Sequence, residues 1–277
     1  MTDYLRPRSI EEAAEMIAAH PEFMKLAGAT DLMVDAKHKR VPAGIVDLWR
    51  VPGMVGIAET DRGIVIRAGA TWLDVQRHPA IATRWAPLAA AAREIGALQI
   101  QARGTLGGNV GTSSPVGDSL PVLLALDAEL ELASIRGVRR VPYREFCVGY
   151  RKTALAADEL IIAAHLPSPS PHARLGWRKV GTRRAQSISK VMGAAAIELI
   201  DGTVASARVA LGAIADRPIR IAAVEAAVTG LQARHAAEAA RAALRTAIAP
   251  IDDIRSTSVY RRTVAENLVA RFFTDLT

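Results

Sequence analysis

One cysteine, Cys147, stands in 277 residues. That scarcity excludes an internal disulfide, and it excludes an iron–sulfur cluster held by four thiolates of this chain. Flanked by Phe146 and Val148, Cys147 reads as a small buried hydrophobe rather than a catalytic thiol. Aromatic residues make up only 4% of the chain, too few for interleaved base-stacking platforms. No run approaches the roughly 18 apolar residues of a membrane helix, so no membrane insertion is expected. Residues 1–16 lack a charged-then-apolar leader, which points to a cytoplasmic location. The six histidines are isolated, with no ligand spacing among them, and no metal site is expected. Ser113-Ser114-Pro115 is no nucleophile elbow, and neither a Walker sequence nor a Gly-x-Gly-x-x-Gly run follows a strand. The usual hydrolase, kinase and Rossmann signals are therefore absent.

Half the residues are hydrophobic and 23% are charged, the balance of a globular chain with a sizeable core. The formal charge is +7, but the cations are scattered. Their one tight run, Lys37-His38-Lys39-Arg40, reads as a solvated loop, and no nucleic-acid partner is expected. A basic surface would still attract an anionic dinucleotide or an acidic partner.

Along the chain, Ser9-Ile10-Glu11-Glu12 has the form of a capping box, followed by an apolar stripe of Ile10, Ala13, Ala14, Ile17 and Ala18. Short strands are expected at 23–27 and 44–48, giving a small β-α-β-α-β unit. A second section starts near Val55, with a strand at 64–66, a helix capped by Thr71 and an Ala-rich helix at 85–95. Residues 98–114, dense in Gly, Ser and Thr, read as a backbone-exposing loop. A buried helix follows at 120–126, with strands at 129–132 and 160–166. The Pro-rich stretch 167–171 marks a domain boundary. Beyond it, strands at 174–180, 188–199 and 204–214 turn at Asp201-Gly202, and helices follow near 219–229, 234–248 and 258–273.

Two glycine-containing segments carry the chemistry. The first is Leu26-Ala27-Gly28-Ala29-Thr30-Asp31-Leu32, directly after a strand. The second is Gly104-Thr105-Leu106-Gly107-Gly108-Asn109, continuing to Ser113-Ser114-Pro115-Val116-Gly117-Asp118. Glycines let a backbone approach a ligand, and adjacent N–H donors make a concave anion site. Thr30, Thr105, Asn109 and Ser114 add neutral donors, and Asp118 can accept from ribose or ribityl hydroxyls. The alternative is a pair of tight turns capped by Asp31 and Asp118. Two such segments without a nucleophile or metal set favour a dinucleotide cofactor.

On these residues the chain resembles the FAD-binding subunits of xanthine and carbon monoxide dehydrogenases, the medium subunits of molybdenum hydroxylases. Similar segments are Gly149-Tyr150-Arg151-Lys152-Thr153-Ala154-Leu155, Asp158-Glu159-Leu160-Ile161, Arg178 to Arg183 with Ser187 to Val191, and the terminal helix from Arg255 to Leu268. The resemblance implies an α+β fold. A two-lobed FAD-binding domain of the PCMH (vanillyl-alcohol-oxidase-like) type would occupy 1–170, with lobes of about 1–54 and 55–170. A C-terminal domain at 171–277 would carry a three-stranded antiparallel sheet and a three-helix layer. It implies that Leu26, Ala27, Gly28, Ala29, Thr30, Asp31, Leu32 and Met33 grip the FAD pyrophosphate together with Thr105, Leu106, Gly107, Gly108 and Asn109. Ser114 would add a donor, Asp118 would bind the ribityl chain, Ile95 would lie near the adenine, and Ile162 and Lys179 would meet the isoalloxazine. Lys179 is the implied catalytic residue, its cation favouring the reduced flavin; otherwise it is a surface lysine on an exposed strand. Ala29 replaces a commoner glycine, which its methyl group tolerates only at φ < 0.

The family setting implies an electron-transfer subunit with FAD as its own cofactor. The molybdenum cofactor would sit in a molybdopterin large subunit and [2Fe–2S] clusters in an iron–sulfur small subunit, with NAD a candidate acceptor. A single cysteine argues against the 4-hydroxybenzoyl-CoA reductase branch, whose flavin subunit holds an extra cluster. Residues 136–142 and the Gly149 segment read most like xanthine dehydrogenase members and put purines first. Carbon monoxide, aldehyde or N-heterocycle dehydrogenation is the alternative, a self-contained flavin oxidase fits the length poorly, and a basic nucleic-acid-binding protein is the reading outside enzymes.

Overall fold

The computed structural model describes residues 3–35, 42–183 and 186–276; the Lys37–Arg40 run lies outside them. The chain opens with β1 (Asp3–Leu5), α1 (Ile10–Ala19), β2 (Met24–Leu26), α2 (Leu32–Asp35) and β3 (Gly44–Asp47). The three strands form a parallel sheet in the order β1-β3-β2, the expected β-α-β-α-β unit. Ser9 Oγ accepts the Glu12 N–H at 3.1 Å, starting α1, and Ala13, Ala14 and Ile17 bury its apolar stripe. The return bond differs from the capping box: Glu12 accepts from the Arg8 N–H, one residue upstream of the cap.

The second section contains β4 (Ile57–Thr60), β5 (Gly63–Arg67), α3 (Trp72–Arg77), α4 (Pro79–Arg84), α5 (Ala86–Glu94), α6 (Leu98–Gln101), α7 (Leu106–Thr112) and α8 (Leu120–Ala125). Next come β6 (Glu129–Ser134), β7 (Gly137–Pro142), α9 (Tyr143–Phe146), β8 (Cys147–Gly149), β9 (Lys152–Thr153) and β10 (Leu160–Pro167). Strands β4-β5-β10-β6-β7 pair antiparallel in one sheet. Thr71 and Asp74 exchange side-chain bonds at the start of α3, a complete capping box. The stretch expected as an open loop, 98–114, instead holds α6 and α7. Thr105 caps α7 by accepting the Gly108 N–H at 3.0 Å, while Leu106 and Val110 bury one face. Capping and burial together offset the weak helix propensity of the glycines.

The C-terminal sheet consists of β11 (Ala173–Val180), β12 (Val191–Ile200), β13 (Thr203–Gly212) and a two-residue β14 (Ile219–Arg220), which adds a fourth strand to the three expected. Asp201 and Gly202 turn the β12–β13 hairpin with φ of 50° and 74°, as a type I′ turn demands. Helices α10 (Ala222–Val228), α11 (Ala233–Ala247) and α12 (Ser258–Thr274) follow. Side chains alternate across β12. Ala195 and Ile197 pack with Val224, Leu244 and Phe273 of the helices, whereas Ala194 and Ala196 join the core of the preceding sections. Strand β12 is thus buried on both faces, and the sheet is seated against the rest of the chain. Among the described residues, no helix is long and apolar enough to cross a membrane, and no cluster of acidic, His and Cys side chains suits a metal ion.

Candidate functional site

A cavity of about 760 Å³ opens where the two glycine segments converge, within the size range of small-molecule sites. Its walls come from residues 27–32, the start of α7, the 114–118 turn, the first residues of β10 and, from the C-terminal domain, Gln186, Ser187 and Ile188. Of the residues singled out in the sequence, Ala27, Gly28, Ala29, Thr30, Asp31, Leu32, Ile95, Thr105, Gly107, Gly108, Asn109, Ser114 and Asp118 line this one space.

The two segments contribute different things. At 28–32, the backbone N–H groups donate to no protein acceptor among the described residues. Ala29 has φ 64°, in the left-handed region. This overturns the expectation of a negative φ, and the reason lies in the turn: a left-handed residue swings successive N–H groups toward one side, forming a concave anion nest. Gly28 seats the nest against the neighbouring segment, since a Cβ there would lie 1.8 Å from the Arg103 carbonyl oxygen. The second segment offers space instead of donors. Its N–H groups are taken, Leu106 donating to Ala70 O at 3.0 Å, Gly107 to Ala68 O at 2.8 Å and Gly108 to Thr105 Oγ1. A Cβ on Gly108 would meet only Thr105 Oγ1 within 4 Å, so the helix presents a bare surface to the cavity. Asn109 Oδ1 is occupied by the Ser119 hydroxyl at 2.7 Å.

Asp118 forms part of the wall with a buried ion pair behind it. Its Oδ2 accepts from Lys179 Nζ at 2.6 Å and its Oδ1 from Ser189 Oγ at 2.6 Å. Lys179 also donates to the Glu94 carbonyl at 3.4 Å. Burial pushes the Asp118 carboxyl above its ordinary range, against the opposing pull of Lys179 and Ser189. A carboxylate has about four lone-pair sites, so Asp118 retains capacity for a ligand hydroxyl.

Five expected site residues lie off the cavity. Leu26 ends β2, its carbonyl accepting the Leu48 N–H. Met33 is 68% exposed on α2, and Leu106 is fully buried in the core. Ile162 is displaced by a β-bulge: the β10–β6 register shifts between Ile161 and Ala163, which reverses the alternation of faces. Leu160 and Ile161, ahead of the bulge, line the cavity, while Ile162 is buried and its carbonyl accepts the Ala68 N–H. Lys179 has a side chain only 3% exposed, so it is neither a surface lysine nor a wall residue; it stands behind Asp118 and neutralises it.

Lys25, Leu48, Met54, Trp72, Arg151, Leu155 and Gln186–Ile188 also line the cavity; of these only Arg151 and Leu155, in the 149–155 segment, and Ser187 and Ile188, in the 187–191 segment, carried any signal in the sequence. Ile95 shares its wall with Gly96 and Ile100, an aliphatic surface. Cys147 is buried, with Ser113 Oγ at 3.1 Å and the Tyr143 hydroxyl at 3.3 Å. Burial holds the Tyr143 hydroxyl well above its usual range.

The cavity fits a flavin dinucleotide on its own chemistry: an anion nest, a bare glycine surface beside it, a buried carboxylate acceptor and aliphatic walls. Comparisons agree. Residues 1–169 match the FAD binding domain in molybdopterin dehydrogenase, and residues 178–276 match the CO dehydrogenase flavoprotein C-terminal domain. The nicotine 6-hydroxylase medium subunit of Paenarthrobacter nicotinovorans is 31% identical, over 97% of this chain and 94% of that one. A putative xanthine dehydrogenase FAD-binding subunit of Escherichia coli is 33% identical, over 78% of this chain and 75% of its own length. The structure of carbon monoxide dehydrogenase from Hydrogenophaga pseudoflava superposes with a TM-score of 0.93 at 28% identity, covering 98% of this chain and 95% of that one. The chain belongs to the FAD-binding medium-subunit family of molybdopterin-dependent dehydrogenases and hydroxylases.

Proposed function

We infer that this chain is the electron-transfer subunit of a molybdenum hydroxylase, taking electrons from [2Fe–2S] clusters of an iron–sulfur small subunit and passing them to NAD or another acceptor. Substrate oxidation then belongs to a molybdopterin large subunit. One observation carries the reading: residues 28–32, whose N–H groups meet no acceptor among the described residues, and Gly108 line one cavity.

Bound FAD supplies the exchange of electrons between one-electron and two-electron partners. The chain's own residues hold and insulate. The nest at 28–32 receives the diphosphate, and Gly108 leaves room for it. Asp118 accepts from a ribityl hydroxyl, and Lys179 and Ser189 act as positioning residues that keep its carboxylate aimed. Ile161, Leu155 and Met54 exclude water from the wall on which they lie. One thiol supplies no four-thiolate cluster within these 277 residues, which supports electrons arriving from iron–sulfur clusters held outside them.

For the substrate of the assembly we favour a nitrogen heterocycle, with purines first, on the xanthine dehydrogenase-like segments at 136–142 and 149–155. Relatives named for nicotine, nicotinate and xanthine support that class. Mild purification from the native source tests the whole reading. One FAD per chain, with iron and molybdenum in co-purifying subunits and oxidation of a purine, is expected. Oxidation of an organic substrate by this chain alone, free of such partners, would refute it.

A further inference from the structure

The hairpin of β8 and β9 places an arginine at the lip of the cavity in an unfavourable backbone conformation. Gly149 faces Lys152 across the hairpin, leaving Tyr150 and Arg151 as a two-residue turn. Arg151 has φ 50°, in the left-handed region where a residue with a Cβ is strained and glycine is not. Strain of this kind persists where a side chain is needed in one place. Arg151 lines the cavity, and its nearest charged group is Asp31, another wall residue, at 3.9 Å. That separation is beyond hydrogen-bond range, and among the described residues the guanidinium makes no hydrogen bond. Among the described residues its five N–H donors thus stand uncommitted beside a loop whose backbone N–H groups also meet no acceptor. Lys25, a second cation of the cavity, spends one donor on the Ala157 carbonyl at 2.7 Å.

Neutral ligands have no use for such a concentration of donors and positive charge. A diphosphate does, since a guanidinium fork matches phosphate oxygens in a bidentate arrangement. We propose that Arg151 recognises the diphosphate of the bound dinucleotide from the hairpin side, completing a clamp whose other jaw is the nest at 28–32. The proposal rests on the FAD reading of the cavity and extends it to a residue on a separate element. Asp31 then serves to hold the guanidinium near the lip until the diphosphate takes it over.

The test uses the full-length chain, freed of flavin, with FAD titrated directly and inorganic pyrophosphate as competitor. Arg151→Gly removes the charge and the backbone strain together. It is expected to weaken FAD and pyrophosphate alike, by roughly tenfold or more at low salt, while the flavin-free chain melts at the same temperature or higher. The difference from the parent chain should narrow as salt is raised. Arg151→Lys, which keeps the charge without the fork, should recover part of the affinity. Unchanged FAD affinity in Arg151→Gly overturns the proposal. So does a fall in melting temperature that parallels the loss of affinity, because Arg151 would then be a structural tie to Asp31. If the unaltered chain takes up no FAD, the cavity reading falls and the clamp with it.

Discussion

Removing Lys179 gives the sharpest test of how the wall behind the cofactor cavity is built. The Lys179 and Asp118 side chains are 3% and 10% exposed and meet at 2.6 Å, so both charges are largely withdrawn from water. Lys179→Met leaves a buried carboxylate with Ser189 as its remaining side-chain donor. Breaking one side of a buried pair costs about 3–5 kcal/mol, which for a chain of this size lowers the melting temperature on the order of 10 °C. Removing both charges behaves differently, because a buried pair and its neutral replacement are often close in stability. Asp118→Asn combined with Lys179→Met should therefore recover most of the loss, giving a coupling energy of about 2 kcal/mol or more in a double-mutant cycle. The pH dependence has a defined sign. Folding raises the Asp118 pKa, chiefly through burial. Its contribution is therefore fully present below the ordinary 3.8 and is lost as pH rises through the folded value. With Lys179 gone the folded value moves further up, so the variant's deficit should grow between pH 4 and neutrality. Thermal unfolding of the four proteins across that range measures all of this. A Lys179→Met chain as stable as the parent at neutral pH, or a double variant less stable than either single one, would refute the buried-pair account.

Gly108→Val should abolish FAD uptake, and because a Cβ there meets the capping Thr105 Oγ1 at 3.0 Å the flavin-free chain should lose about 1–2 kcal/mol while still folding; retained affinity would show that this turn of α7 faces no ligand. Ala29→Gly should stabilise the flavin-free chain by about 0.5–1 kcal/mol by relieving a left-handed φ, and a loss of stability in urea unfolding would contradict that. Glu159 accepts from Arg139 and from the Ala156 N–H, and the Arg139 bond above all holds its carboxyl below the ordinary 4.5. Its stabilising share is present above pH 4.5 and is lost as pH falls through the folded value. The deficit of Glu159→Gln seen at pH 7 should accordingly shrink on acidification, and a deficit independent of pH would assign it to packing.

Periodic segments were legible where local rules and burial agree. The α1 stripe, the buried helix at 120–125 and the Asp201-Gly202 hairpin fall where apolar spacing and turn residues put them. The glycine-rich stretch at 98–114 was not legible as helix, because Thr105 capping and the burial of Leu106 and Val110 outweigh composition. Somewhat under half of the cavity lining could be named from two segments of chain. What escaped depends on elements far apart in sequence: Lys25 and Arg151 arrive from β2 and the β8–β9 turn, and Ser187 and Ile188 from the C-terminal domain. That Ile161 and not Ile162 lines the cavity goes with a bulge between Ile161 and Ala163, which no alternation pattern announces. Lys179 sits on a strand with half-exposed neighbours, and only its pairing with Asp118 explains why its own side chain is buried.

Cys147 turns the chain into its own reporter. The thiol is enclosed by Tyr143 and by Ser113, the residue that ends α7, and α7 is a wall of the cofactor cavity. A thiol-reactive dye can reach it only when that neighbourhood opens, so the labelling rate counts openings of one part of one lobe. Anything that fills the cavity and steadies α7 must slow the dye. Because no second cysteine competes for the label, occupancy of a site that contains no thiol can be followed as the reactivity of a single thiol behind its wall.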